Sequence, residues 1–125
     1  MKLQSDPHFG ANAITGYGAG YVEINKIPYE HAVLLSSDGA ISRWPVAAFE
    51  ELNPSHFTQM IDLKPELILI GTGKRQQFPK PELLKDLINA KIGFEIMNSQ
   101  AACRTYNILV GEGRKVMLAL LVDAA

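Results

Sequence analysis

The fold of this chain is decided by residues 65–81, which read Pro65-Glu66-Leu67-Ile68-Leu69-Ile70-Gly71-Thr72-Gly73-Lys74-Arg75-Gln76-Gln77-Phe78-Pro79-Lys80-Pro81. Leu67–Ile70 is a run of branched apolar residues, typical of a strand buried on both faces in a parallel sheet. Gly71–Gly73 follows, where the backbone can take a positive φ or approach a ligand closely. Ligands of open α/β sheets usually bind beyond the carboxyl ends of the strands. The stretch therefore predicts both an α/β fold and a place where a ligand could sit.

Two interpretations of this glycine loop stay open. A glycine pair after a buried strand is ordinary turn chemistry before a helix, here one that Pro81 opens. A dinucleotide-binding fingerprint would need a third glycine where Gln76 stands, and a P-loop would need a hydroxyl residue where Arg75 stands. The sequence thus disfavours nucleotide binding and leaves weak anion binding as the alternative to a simple turn.

The second half of the chain alternates between strand and helix patterns. Strands are predicted at Leu67–Ile70, Phe94–Met97 and Lys115–Val122, and helices from Pro81 and over Gln100–Val110. This order calls for a mainly parallel sheet with right-handed crossovers. All three strands are expected to be central in it, because their apolar runs lack the alternation of a half-exposed strand.

The first third of the chain reads instead as antiparallel β structure. Asn25-Lys26 is predicted as the two-residue turn of a hairpin. Short strands are predicted at residues 12–19, 21–24, 27–29, 31–36 and 40–44. We expect residues 1–125 to form one α/β domain, with residues 1–11 as a flexible N-terminal tail.

Composition and charge exclude several classes of function. The chain has 125 residues, with 12 Lys plus Arg against 13 Asp plus Glu and a formal charge of −1. This balance disfavours nucleic-acid binding, which depends on neutralising phosphates. The only cysteine, Cys103, permits no intrachain disulfide and no cysteine-based zinc site.

The sequence also bears on location. Residues 1–8 have neither the apolar core of a signal peptide nor the arginine-rich pattern of a transit peptide. The longest apolar run, Val116–Val122, is far shorter than the roughly 18 residues that indicate a membrane span. We therefore expect a cytoplasmic protein without a membrane span.

The Gln100–Val110 helix carries a polar stripe of Gln100, Arg104 and Asn107, spaced to share one helical face. This stripe is either a solvated face or part of a site, because Ser99 and the first-turn amides follow a strand that should run parallel to Leu67–Ile70. A helix N-terminus there would favour an anion. The predicted ligand-binding set at this shared sheet edge is Gly71, Thr72, Gly73, Lys74, Arg75, Ser99, Gln100 and Arg104.

No catalytic or metal-binding pattern stands out. Cys103 has no adjacent base and is interpreted as a structural, half-buried residue. His8, His31 and His56 lack the short spacing of metal ligands and are expected to lie at the surface or in local hydrogen bonds. The carboxylates are scattered, with no pair placed for acid–base work. We expect no catalytic residue, metal or cofactor, and a non-enzymatic role is favoured.

Three segments carry a resemblance to a known family: Trp44-Pro45-Val46, residues 65–73, and Ala101-Ala102-Cys103-Arg104-Thr105-Tyr106-Asn107. The chain resembles, over about Ile14–Leu121, a family of small α/β domains of unknown function. That family includes a mitochondrial respiratory complex I assembly factor and the adipogenesis-associated domain proteins. The resemblance implies a three-layer fold with a mixed central sheet and an additional antiparallel β layer. It also implies action through protein partners, with no established catalytic residues.

Two functions remain open at this point. The first is a non-enzymatic binding or assembly-type module that acts through protein partners, with a relation to respiratory complex assembly implied by the resemblance. The second is a small-molecule or anion-binding protein, with an enzyme among its forms, that uses the Gly71–Arg75 loop and the Ser99–Arg104 helix start.

Overall fold

The structure, a computed structural model, describes residues 11–123. Of the expected tail over residues 1–11, all but Ala11 lie outside the described residues. The strands are β1 (Ile14–Gly18), β2 (Tyr21–Ile24), β3 (Ile27–Tyr29), β4 (Val33–Ser36), β5 (Ile41–Arg43), β6 (Leu67–Gly71), β7 (Gly93–Met97) and β8 (Val116–Leu120). The helices are α1 (Ser55–Thr58), α2 (Lys85–Asn89) and α3 (Ser99–Gly111), with short 3-10 turns at Phe49–Glu51, Ile61–Leu63 and Pro81–Leu84.

The first three strands form a small antiparallel sheet in the order β1-β2-β3. Asn25 and Lys26 join β2 to β3 with φ angles of 52° and 72°. Positive φ at both central residues is the geometry of the tight turn that matches the twist of a hairpin. The predicted two-residue hairpin turn is therefore present.

The other five strands form a mixed sheet in the order β5-β4-β8-β6-β7. β6 pairs in parallel with both β7 and β8, while β4 pairs antiparallel with β8 and β5. The register brings Gly71 opposite Met97 on one side and Leu120 on the other. This confirms the mixed sheet with a mainly parallel C-terminal half.

The prediction that all three C-terminal strands are central is wrong for β7, which lies at an edge of the sheet. Leu69 on β6 is fully buried, whereas Glu95 at the equivalent position of β7 is exposed. The carboxylate is the physical reason, because an unpaired charge is costly to bury. Glu95 is thus the residue of β7 that indicates an edge strand, although its neighbours Phe94 and Ile96 are apolar.

The large sheet is covered on both faces, which gives the expected three layers. One face packs against α3 and the small sheet, around Leu35, Leu69 and Leu118. The opposite face packs against the segments that carry Trp44 and Phe57 and against α2. The small sheet is the predicted additional β layer and lies on the same side as α3.

The segment from Pro81 departs from the predicted regular helix. It begins as the 3-10 turn Pro81–Leu84 and becomes α-helical only from Lys85. Leu84 and Leu87 are buried, but Ile88, which a regular α-helix would place on the same face as Leu84, is 53% exposed. A 3-10 turn has three residues per turn, so the residues after it are rotated from the positions they would have in a continuous α-helix. Fewer of the apolar residues of this segment therefore face the core.

Trp44 anchors the layer opposite α3. Its indole N–H donates to the carbonyl of His56 at 2.9 Å, and both its ring contacts, with His56 and Phe57, are edge-on. His56 Nδ1 accepts from the Asn53 N–H at 3.0 Å, and Nε2 lies 3.1 Å from the carbonyl of Pro45. The accepting Nδ1 assigns the proton to Nε2, so His56 makes the local hydrogen bonds expected of it.

Candidate functional site

The parallel strands β6, β7 and β8 end at one edge of the large sheet, and the segments that follow them meet there. The residues after β6 form the loop 72–75, those after β7 start α3, and those after β8 are Leu121–Asp123. The backbone ties the three together: Thr72 N–H donates to Met97 O, and Leu121 N–H donates to Gly71 O, both at 2.9 Å. This edge is the place where the sequence predicted that the two candidate segments would come together.

Ser99 clamps these three segments. Its Oγ accepts from the Gly73 N–H at 2.8 Å and donates to the Leu121 carbonyl at 2.7 Å. Its own N–H donates to Gly73 O at 2.8 Å. The one hydroxyl hydrogen of Ser99 is therefore used within the chain, so this side chain has no donor left for a ligand.

The glycines of the loop are required by close packing. A Cβ on Gly71 would come within 2.6 Å of Leu120 Cδ1 and 2.9 Å of Ser99 Oγ. Gly73 has a φ of +96°, and a Cβ there would meet Asp123 Oδ1 at 2.5 Å. Both positions thus need glycine for reasons internal to the fold, as the turn interpretation proposed.

A carboxylate of the chain itself occupies the position where an anion was expected. Asp123 Oδ2 accepts from the Lys74 backbone N–H. Asp123 and Lys74 also line the same cavity. The loop amide that could hold an external anion is therefore satisfied from within.

Asn98 begins α3 as an N-cap. Its side-chain oxygen accepts from the Ala101 N–H at 2.8 Å, with the extended backbone angles usual at this position. The cap and the clamp together use the polar groups at the start of the helix to fix α3 on the sheet.

A crevice opens above this edge, between the β1–β2 hairpin tip and the start of α3. Its cavity of about 350 Å³ is lined by residues from the hairpin, from the loop, from α3 and from the chain after β8. A wider cavity of about 750 Å³ adjoins it toward Pro45 and shares Ala19, Tyr21, Val122 and Asp123 with it. We call the two together the carboxyl-edge crevice. Both cavities are open to solvent and share part of their lining, so the crevice is a groove rather than a closed pocket.

Four of the eight predicted site residues line this crevice: Gly73, Lys74, Ser99 and Gln100. Gly71 and Thr72 are buried behind it, and the Thr72 hydroxyl donates to Arg75 O at 2.7 Å. Arg75 is exposed and does not line either cavity. Arg104 is also exposed and lies at the rim, where its guanidinium is 3.4 Å from the Tyr17 hydroxyl.

The polar stripe of α3 is only partly solvated. Asn107 receives the Ile14 N–H on its Oδ1 at 3.0 Å, and its Nδ2 donates to Ile14 O at 2.8 Å. These bonds imitate a strand pairing with β1 and fasten the small sheet to α3. Gln100 and Arg104 are exposed, whereas the bonds of Asn107 to β1 show that the solvated-face interpretation is wrong for Asn107.

Cys103 lies at the floor of the crevice and is buried, with 1% of its surface exposed rather than the half expected. Burial raises the pKa of its thiol to about 12, against a smaller lowering by Arg104. Burial likewise raises the pKa of Tyr106, whose hydroxyl donates to Asn12 O at 2.9 Å. A thiol with so high a pKa is a poor nucleophile, because the thiolate is the reactive form.

Within residues 11–123, no three His, Cys, Asp or Glu side chains are placed to hold a metal ion together. His8 lies outside the described residues. The helices of this range include none with both the length and the hydropathy to cross a membrane.

Sequence reasoning missed Asp123, Tyr17 and Tyr21 at the crevice. Asp123 carried a usable signal, since it follows a strand predicted to run parallel to β6 and so had to leave the sheet at the same edge. The two tyrosines carried none, because no local pattern says where the hairpin folds over the sheet.

Comparison with known proteins adds a family. The family model described as a protein of unknown function (DUF498/DUF598) matches residues 14–121. The chain is 31% identical over 117 residues to the 13 kDa major membrane protein of Francisella tularensis subsp. holarctica, covering 93% of this chain and 95% of that one. The match to NADH dehydrogenase [ubiquinone] 1 alpha subcomplex assembly factor 3 of Drosophila melanogaster is 33% identical over 112 residues. It covers 86% of this chain but only 57% of the fly protein.

A solved structure shares the fold. The crystal structure of a Bordetella parapertussis protein superposes with a TM-score of 0.86 at 42% sequence identity. The similarity covers 91% of this chain and 98% of that one.

Proposed function

We propose that this chain, which belongs to the family of proteins of unknown function DUF498/DUF598, is a non-enzymatic, assembly-type module. It acts through a protein partner. The proposal places the contact with that partner at the carboxyl-edge crevice. It extends to a role in the assembly of a respiratory NADH dehydrogenase, as the name of the fly relative suggests.

The observation that carries the proposal is that side chains of the protein itself already accept the backbone N–H groups of the predicted anion-binding loop. Ser99 Oγ holds the Gly73 N–H, and the Asp123 carboxylate holds the Lys74 N–H. A phosphate or a metabolite carboxylate would have to displace Asp123 against its own hydrogen bond. The loop is thereby suited to shaping a surface and poorly suited to capturing a small anion.

The outer surface of the crevice has the chemistry of a protein contact. Tyr21 is 37% exposed, Tyr17 is half-buried, and exposed Arg104 lies against the Tyr17 hydroxyl. Tyrosine and arginine are enriched where protein interfaces draw most of their binding energy.

The assembly role draws on relatives that are longer than this chain. The chain spans 57% of the length of the fly assembly factor. The proposal assigns to this chain the partner-binding surface and not the whole activity of that relative.

Co-purification from native cell extract tests the proposal. The wild-type chain would be compared with Lys74→Ala/Arg104→Ala, and with Lys80→Ala/Lys85→Ala as a control that removes two exposed cations elsewhere. We expect defined protein partners with the wild type and the control and their loss with the crevice variant. Native mass spectrometry of the same samples would reveal a retained metabolite. A metabolite bound in place of any protein partner would contradict the proposal and favour the small-molecule alternative.

A further inference from the structure

The outer edge of β7 presents backbone groups that no strand of the described chain pairs. β7 is the last strand of the sheet order, with β6 on its inner side. Met97 O accepts from the Thr72 N–H, so the peptide groups of Met97 face β6. In a parallel pair the facing residues alternate, which turns the N–H and C=O groups of Phe94 and Ile96 outward. The Gln76 side chain donates to Ile96 O at 2.9 Å and covers one of these four groups.

The other sheet edges of residues 11–123 are protected in ways that natural proteins commonly use. β1 is held by the Asn107 amide and is irregular between Ile14 and Gly16. β3 contains Pro28, and β5 has three residues with exposed Arg43. β7 has five residues and contains neither proline nor lysine. Its protection comes from the Glu95 carboxylate and from the Gln76 side chain.

The side chains along the β7 edge are apolar on one face of the sheet and acidic on the other. Phe94 and Ile96 lie partly buried on the α2 side of the sheet, where Leu83 packs against the same core. Phe78 is 68% exposed and comes two residues after Gln76, which itself contacts Ile96. The opposite side of the strand presents the exposed carboxylate of Glu95. An added strand would therefore meet an apolar surface on one face and a negative charge on the other.

We propose that β7 binds an extended segment of a partner protein, which adds to the large sheet as a further strand. The segment carries apolar side chains at two alternate positions, which cover Phe94 and Ile96. A lysine or arginine between them lies beside Glu95. Main-chain hydrogen bonds would supply affinity, and these side-chain positions would supply specificity, as in other cases of strand addition. The inference rests on the proposed function in that the partner is a protein, but it uses a surface separate from the crevice lining.

A second copy of this chain is disfavoured in the centred two-fold register. In that antiparallel pairing, which joins Phe94 to Ile96 of the other copy, Glu95 lies directly opposite its own equivalent. Like charges in directly opposite positions destabilise a strand pair. A basic residue in a different partner turns the same position into a favourable one.

A synthetic peptide tests the geometry directly. The probe is acetyl-Thr-Val-Lys-Val-Thr-amide. One control peptide has glutamate in place of the lysine, and another is N-methylated at the three central residues. We expect the probe, at about 1 mM as suits a weak peptide contact, to shift the amide NMR signals of Phe94 and Ile96. It should also slow their hydrogen exchange about tenfold. The N-methylated peptide should have no effect, and the glutamate peptide should bind several-fold more weakly.

Reversing the charge at position 95 tests the side-chain contact without changing the backbone groups of β7. Because Glu95 is exposed, Glu95→Lys should fold and should prefer the glutamate peptide to the lysine peptide. Ile96→Pro, which removes one outward N–H, should lose binding, while Ile96→Val should keep it. Absence of perturbation at Phe94 and Ile96 would refute the proposal. So would protection of these two amides in the free protein equal to that of Glu95 and Met97.

The outcomes separate this inference from the proposed function. Partners that co-purify undiminished with Glu95→Lys, yet are lost with Lys74→Ala/Arg104→Ala, would refute docking at β7 and leave the crevice proposal standing. Loss with Glu95→Lys alone would support docking at β7 and refute the crevice.

Discussion

Replacing Ser99 by alanine should destabilise the fold through a single side-chain oxygen. The hydroxyl makes two bonds, at 2.8 Å from the Gly73 N–H and at 2.7 Å to Leu121 O, and both are partly buried. A neutral hydrogen bond contributes about 0.5–1.5 kcal/mol, and a buried group left without a partner costs about 1–3 kcal/mol. Alanine at the first turn of α3 would recover about 0.5 kcal/mol of helix propensity. We therefore expect a net loss of about 2 kcal/mol in the free energy of unfolding.

Urea denaturation followed by circular dichroism measures this loss. A change of about 2 kcal/mol corresponds to a fall in Tm of about 6–12 °C for a chain of this size. Ser42→Ala is the matched control, because Ser42 is exposed on the short edge strand β5, and its loss should cost less than about 0.5 kcal/mol. A Ser99→Ala variant as stable as that control would refute the clamp, and with it the argument that the loop is saturated from within.

Three further outcomes follow from the same geometry. Gly73→Ala should cost at least about 1 kcal/mol more than Gly113→Ala in chemical denaturation, because both glycines have positive φ but only Gly73 faces Asp123; equal costs would disprove the contact. Burial raises the pKa of Cys103 from 9.0 to about 12, so the unfolded state binds fewer protons above pH 9 and stability should fall as pH rises from about 9 to 12. Cys103→Ala should fold and remove up to about 1.4 kcal/mol per pH unit of that slope, and an unchanged slope in alkaline titration would contradict the assignment. Asn107→Ala should speed amide hydrogen exchange in β1 about tenfold or more while β8 stays protected, and equal protection of β1 would show that the small sheet holds itself in place.

The parts of the fold that were predictable are those that depend on residues close together in the sequence. The apolar run of β6 and the Asn25-Lys26 turn can each be recognised from a few neighbouring residues. The order of strands across the sheet cannot, and for that reason β7 was placed at the centre. Only Glu95 hinted that this strand borders solvent.

The candidate site was predictable to the same extent. The rule that parallel strands end at one edge brought Gly73, Lys74, Ser99 and Gln100 to a single crevice. The same rule could not show that Ser99 and Asp123 would satisfy the loop, since that depends on distances of a few tenths of an ångström.

Site-specific photo-crosslinking from position 21 tests the central claim most directly, namely that the carboxyl-edge crevice contacts a protein. A photoreactive residue in place of Tyr21 would be activated in native cell extract, and the same residue in place of exposed Lys85 serves as the remote control. The account predicts one or a few discrete protein adducts from position 21, absent from position 85 and lost in the Lys74→Ala/Arg104→Ala background. Adducts of equal yield from both positions would contradict it. So would a clean absence of adducts at position 21 together with a metabolite retained in the crevice.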